Sequence, residues 1–141
     1  MLKKRQRGFT LLEILVVISI IGILVALGTA AFSTTQKKSR DARRKSDIKA
    51  VQNGFEQYHA KNNAYPTTLL EAADASIFPG GLPEDPRGID ENVYTYNLST
   101  DSFCVCALLE SSVGNTTDLP DGGSAVCTYG SGDYYCLGSL Q

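Results

Sequence analysis

Between Phe9 and Phe32 the chain runs for 24 residues with Glu13 as its only ionisable side chain. As a helix this stretch reaches roughly 36 Å at about 1.5 Å per residue, enough to cross the roughly 30 Å hydrocarbon layer of a bilayer. It is read as a membrane-spanning helix and not as a soluble-domain helix, which is apolar on one face only. The remaining length, within 141 residues in all, suits one modest domain and excludes large multidomain enzymes.

Charge is divided along the chain. Positions 1–49 hold eleven Lys and Arg against three acids, whereas 50–141 hold two against twelve, so the overall net charge of -2 hides two opposite halves. Lys3, Lys4, Arg5 and Arg7 precede the apolar run and place the N-terminus in the cytoplasm by the positive-inside bias. The basic stretch from Lys37 to Lys45 weakens that vote. On this topology everything after the run is extracytoplasmic. All four cysteines, Cys104, Cys106, Cys127 and Cys136, lie there, as expected of disulfides formed in an oxidising compartment.

Cleavage after Ala31 as in an ordinary secretory signal is disfavoured, because the apolar run is long enough to span and carries an acid near its start. A carboxylate in hydrocarbon costs on the order of 2.5–3.5 kcal/mol on insertion scales, so Glu13 calls for a partner. The basic leader ending in Gly8, followed by Phe9, Thr10, Leu11, Leu12 and Glu13, resembles the class III signal of type IV prepilins, and Gly22 within the run also fits that pattern. The resemblance covers roughly residues 1–66.

The resemblance implies cleavage between Gly8 and Phe9 by a membrane prepilin peptidase, which also methylates the new amino group. The mature chain then carries nine cations against fifteen acids, a side-chain charge of -6. It further implies that the Glu13 carboxylate meets the Phe9 ammonium of a neighbouring copy, or its own, inside an apolar helix bundle. Such a pair adds little net stability but is costly to break from one side, which suits register selection. The partners so implied are further copies of the chain in a helical homopolymer, the peptidase, an assembly platform and the inner membrane.

Beyond Phe32 no proline occurs before Pro66, and Ile48, Val51, Phe55 and Tyr58 recur at helical spacing. A single helix is therefore expected from about Phe9 to about Asn62, apolar all round over 9–32 and amphipathic over 33–62. Many pilins have Pro where this chain has Ala30. The cations from Lys37 to Lys49 lack interleaved aromatics for base stacking, so no specific nucleic acid is assigned to them. They are read as facing anionic head groups, with Asp41 and Asp47 pairing with Lys45 and Arg43.

The head is expected over 63–141. Asn62, Asn63 and Pro66 end the helix, Thr68–Ala75 forms a short helix, and Pro79–Gly88 is loop. Tyr65-Pro66 and Leu82–Gly88 again resemble pilins and the major pseudopilin of type II secretion. Val93–Leu98 and Ser102–Leu109 alternate as a hairpin, with Phe103, Val105, Ala107 and Leu109 on one face and Cys104, Cys106 and Leu108 on the other. Ala125–Tyr129 and Tyr134–Leu137 are read as a second ribbon.

Three disulfide connectivities are open to four cysteines. A turn over Gly130–Asp133 would set Cys127 opposite Cys136, while the preferred set joins Cys106 to Cys136 and Cys104 to Cys127. Type II pseudopilins hold calcium in an acidic C-terminal loop, but Asp118 and Asp121 beside Gly122 and Gly123 do not reproduce it. No metal ligand or cofactor is assigned. His59 is the sole histidine, no catalytic constellation is present, and Asn97 and Asn115 open glycosylation-type tripeptides.

The fold class expected is α+β, a long N-terminal helix with a small antiparallel sheet, as in type IV pilins. The function expected is a non-enzymatic structural subunit of a type IV pilus-like filament. The major pseudopilin of a type II secretion system is the alternative, and a non-polymerising membrane-anchored binding module is a distant one.

Overall fold

The computed structural model describes residues 8–74, 76–88, 94–117 and 125–140, without the side chains of Ala30 and Ala31. The elements are helix α1 (Leu11–Asn62), helix α2 (Leu69–Ala72) and strands β1 (Thr95–Leu98), β2 (Phe103–Leu108) and β3 (Tyr134–Gly138). The chain divides into two units, residues 1–36 and 37–141.

In the first unit the described part of α1 is exposed throughout, with Leu12, Ile18 and Leu24 among many large apolar side chains open to the surroundings. It is long and apolar enough to cross a membrane. Gly22 and Gly28 lie within unbroken helix. The Ser19 hydroxyl donates to the Leu15 carbonyl at 2.8 Å, satisfying itself within the helix.

The second unit forms around the stripe seen in the sequence. Ile48, Val51 and Phe55 of α1 are fully buried against Phe103, Val105 and Ala107 of β2, with Tyr65, Ala72 and Tyr94 closing the core. Phe55 meets Phe103 and Phe78 edge-on, at centroid distances of 5.0 and 6.3 Å. Alternation along β2 sends Cys104 and Cys106 to the other face, beside Cys136.

The helix stops at Asn62 because Asn63 takes a left-handed backbone (φ 55°), a conformation Asn tolerates, while its N–H donates to the His59 carbonyl at 2.7 Å. The short helix is four residues long, inside the expected 68–75. Thr68 caps it by accepting the Glu71 N–H at 3.2 Å, and the Asp74 carbonyl then accepts the N–H groups of Ile77 and Phe78 in a turn.

Gly54 faces the Phe78 ring so closely that a Cβ there would lie 2.1 Å from Cζ. Gly54→Ala is expected to destabilise the fold by about 1–3 kcal/mol through overpacking, outweighing the roughly 1 kcal/mol that Ala gains in a helix. A lowered urea midpoint checks this; a raised one would show that Phe78 has room to move.

The sheet is antiparallel in the order β1-β2-β3, with Leu98 opposite Phe103 and Cys106 opposite Cys136. The expected hairpin forms over Thr95–Leu98 and Phe103–Leu108, shorter than expected by Tyr94, Ser102 and Leu109, while Val93 lies outside the described residues. The second ribbon does not: β3 pairs with β2, and 125–129 is not strand. The other edge of β3 is already taken. Thr116 bridges to Tyr134, and the Asn115 amide accepts the Cys136 N–H and donates to the Cys136 carbonyl, both at 2.7 Å. One side chain thus supplies the ladder bonds that a 125–129 strand would have made, and Asn115 is engaged there rather than free to carry a glycan.

Disulfides join Cys104 to Cys127 and Cys106 to Cys136, and the local Cys127–Cys136 bridge is not formed. They enclose 23- and 30-residue separations. Replacing Cys106 and Cys136 by Ser is expected to cost about 2–5 kcal/mol, read from the urea midpoint of oxidised protein. An unchanged midpoint would exclude a stabilising role.

Candidate functional site

The N-terminal motif is built on a helix start. Gly8, Phe9 and Thr10 precede the helix and are exposed, Phe9 by 80%. Nothing lies within 4 Å of a Cβ built on Gly8, so no described neighbour demands glycine there. Thr10 caps the helix, its Oγ1 accepting the Glu13 N–H at 3.2 Å, while Glu13 Oε2 accepts from the Thr10 N–H at 3.1 Å and its hydroxyl at 2.9 Å. This is a capping box, in which Thr and the acid three residues on satisfy each other's backbone N–H.

Glu13 therefore has a local partner in Thr10, which the sequence reading missed although the Thr-x-x-Glu spacing signals it. The geometry leaves the Gly8–Phe9 bond in exposed, non-helical chain, with a fixed acid one turn beyond it. Lys3, Lys4, Arg5 and Arg7 lie outside the described residues.

The second polar constellation is internal to unit 37–141 and revises the reading of the basic stretch. Arg44 is buried completely and Asp41 nearly so. Arg44 Nε and Nη2 donate to Asp85 at 2.6 and 3.1 Å, while Nη1 reaches Asp41 at 3.1 Å and Glu110 at 2.8 Å. Arg40 forks onto the same Glu110. Asp41 also accepts three successive backbone N–H groups, from Glu110, Ser111 and Ser112, at 2.8–2.9 Å.

These groups fasten α1 to the 85–88 turn and to the loop after β2. The expected Arg43–Asp47 pair is present at 3.8 Å, but Asp41 pairs with Arg44 and not with Lys45, which lies 5.5 Å from the centre of the Tyr135 ring. Asp41 and Arg44 stand seven and four residues before Ile48, so they continue the buried stripe. Reading them as a solvated face ignored that spacing.

Burial alone would push the Asp41 carboxyl up, yet the three N–H groups and the Ser111 hydroxyl bring it down to about 2. Bonds from Arg40, then Arg44, outweigh burial at Glu110 and hold it at about 2. For acids depressed in this way, the stabilisation is complete above their unfolded values near 4 and disappears as pH falls through about 2. The urea midpoint is expected to fall steadily between about pH 4.5 and 2, by an amount worth a few kcal/mol in all. A flat profile over that window would exclude the network as the source of acid lability.

His59 stacks on Tyr65 at 4.4 Å. The Tyr65 hydroxyl donates to Glu56, and burial, then this bond, push it up to about 12. Asp118 and Asp121 lie outside the described residues.

An N-capped, fully exposed apolar helix behind an accessible Gly-Phe bond, joined to a small three-stranded sheet, defines a pilin-like α+β protein of the N-terminal methylation class. The prokaryotic N-terminal methylation motif matches residues 3–29. The type II secretion system core protein G of Aeromonas hydrophila is 38% identical over 103 residues, 73% of this chain and 71% of that protein. The proteins of the same name from Pseudomonas aeruginosa and Vibrio cholerae are both 34% identical, over 73% and 71% of this chain and 72% and 67% of their own. The chain belongs to the type II secretion system core protein G family, the pseudopilins.

Proposed function

We propose that this chain is the polymerising structural subunit of a type II secretion system. It is made as a precursor, cleaved between Gly8 and Phe9 by a prepilin peptidase, methylated at the Phe9 nitrogen, and stacked through its apolar helix into a short envelope fibre. The observation that carries this reading is the methylation motif, seated on an exposed capped helix whose apolar surface has no cover among the described residues. The names of the relatives favour the secretion fibre over the extracellular pilus that the first residues also suggest.

Before assembly the 9–32 helix spans the inner membrane with the N-terminus cytoplasmic and the head outside, where the two disulfides persist. On stacking, Glu13 exchanges its Thr10 bonds for the Phe9 ammonium of a neighbour. In an apolar bundle that exchange neutralises both charges, whereas either alone would be a costly buried ion.

Mass spectrometry of fibres released from the envelope tests the proposal. A chain beginning at N-methylated Phe9, in short envelope-bound fibres, is the expected result. The same chain in long extracellular filaments would favour a pilus subunit, and a chain still beginning at Met1 or cut after Ala31 would overturn both readings.

A further inference from the structure

Lys37 and Arg40 of α1, Arg87 of the turn after Asp85, and Leu108, Leu109 and Glu110 at the end of β2 line an open groove of about 660 Å³. All six belong to unit 37–141. Their charges are unequally engaged. Arg40 is forked onto Glu110, which also accepts from Arg44. Beneath them Asp41 and Asp85 are occupied by Arg44 and by backbone N–H groups.

Arg87 is held loosely, its Nη1 3.9 Å from Glu110 and its side chain 52% exposed. Lys37 is exposed and has no ion pair among the described residues. The groove thus presents two available cations beside a leucine floor. Lys37 follows Phe32 by five residues, which limits its reach from the apolar run to roughly 18 Å even if that stretch were fully extended. When 9–32 lies in hydrocarbon, this tether alone keeps Lys37 within roughly 18 Å of the apolar run and so within reach of the lipid head groups.

We propose that the groove binds the phosphodiester of an anionic phospholipid headgroup, with Lys37 and Arg87 holding the phosphate oxygens and Leu108 and Leu109 contacting the glycerol carbons. The Arg87 fork suits two phosphate oxygens and Lys37 acts as a point charge. Arg87 lies fifty residues after Lys37 in the chain, so the pair exists only in the folded head. The proposal rests on the membrane-spanning reading of 9–32.

The full-length chain, reconstituted in phosphatidylcholine vesicles with or without phosphatidylglycerol at about one part in four, is floated and then extracted with its lipids for native mass spectrometry. Wild type is expected to retain phosphatidylglycerol over phosphatidylcholine, and inorganic phosphate in excess is expected not to displace it. The preference should fall roughly fivefold for each cation removed in Lys37→Gln and Arg87→Gln. The double variant Lys38→Gln with Lys49→Gln, equal in charge change but outside the groove, should keep it.

Equal retention of the two lipids by wild type overturns the proposal, as does displacement by free phosphate or an equal loss in the Lys38 and Lys49 control. A Lys37 and Arg87 double variant that keeps its lipid but loses association between copies gives the groove to a second copy instead. Failure to float even on phosphatidylcholine removes the membrane reading and this proposal together, whereas flotation without lipid preference removes this proposal alone.

Discussion

Arg44→Met is expected to destabilise the head by about 3–5 kcal/mol, a large share of the roughly 5–15 kcal/mol that holds a domain of this kind together. The guanidinium is fully buried and serves Asp41, Asp85 and Glu110 at once, so its removal takes a buried cation from three carboxylates of low exposure and leaves Asp85 with only the Arg87 N–H. Arg44→Lys should recover little, because an ammonium cannot fork onto Asp85 while also reaching Asp41 and Glu110.

The predicted loss is also specific in its pH dependence. Above about pH 5 Asp41 and Glu110 are ionised and the gap between variant and wild type is widest; below about pH 3 they take up protons and the gap narrows. Urea unfolding of the detergent-solubilised chain, followed by tyrosine absorbance across that range, reads both effects. A gap that is small at neutral pH, or that does not shrink in acid, would show that Arg44 acts by volume alone.

The second large effect is expected at Glu13. Glu13→Gln keeps a side chain able to complete the capping box with Thr10, since Gln serves at that position as Glu does, but it removes the charge. Leader cleavage and Phe9 methylation are expected to continue at wild-type levels, while fibre yield drops at least tenfold because the Phe9 ammonium of each neighbour is left unpaired in an apolar bundle. Glu13→Ala should lose assembly equally. If Gln supports normal fibres and Ala does not, Glu13 acts only as a helix cap; if both assemble normally, it has no role in stacking.

Much of the fold was legible because it depends on local patterns. The 24-residue apolar run, the 3.6-residue period of Ile48, Val51 and Phe55, and the alternation of Phe103 to Leu108 each fix an element and the face it buries. Asn63 and Pro66 mark the helix end for reasons internal to each residue. The Gly8 to Glu13 motif was legible too, although its capping geometry was passed over in favour of a partner in another copy.

What was misread depended on residues far apart in sequence. The 125–129 segment has strand-like composition, but the edge of β3 it would have paired with is occupied by the Asn115 amide and Thr116. Lys37–Lys49 looks like a uniform basic face in sequence, yet Asp85 and Glu110 draw Arg40 and Arg44 out of it, and Arg87 joins Lys37 across fifty residues.

By itself, then, the sequence determined that this chain carries a membrane-length helix behind a processing motif and continues it into a helix with one buried stripe, since hydrophobic length and period are properties of contiguous residues. Only the tertiary structure decided which charges are buried clasps and which stay available, and how four cysteines pair. A charge's partner and a strand's neighbour are chosen by distance in space, and that distance is set only when the stripe of α1 meets β2.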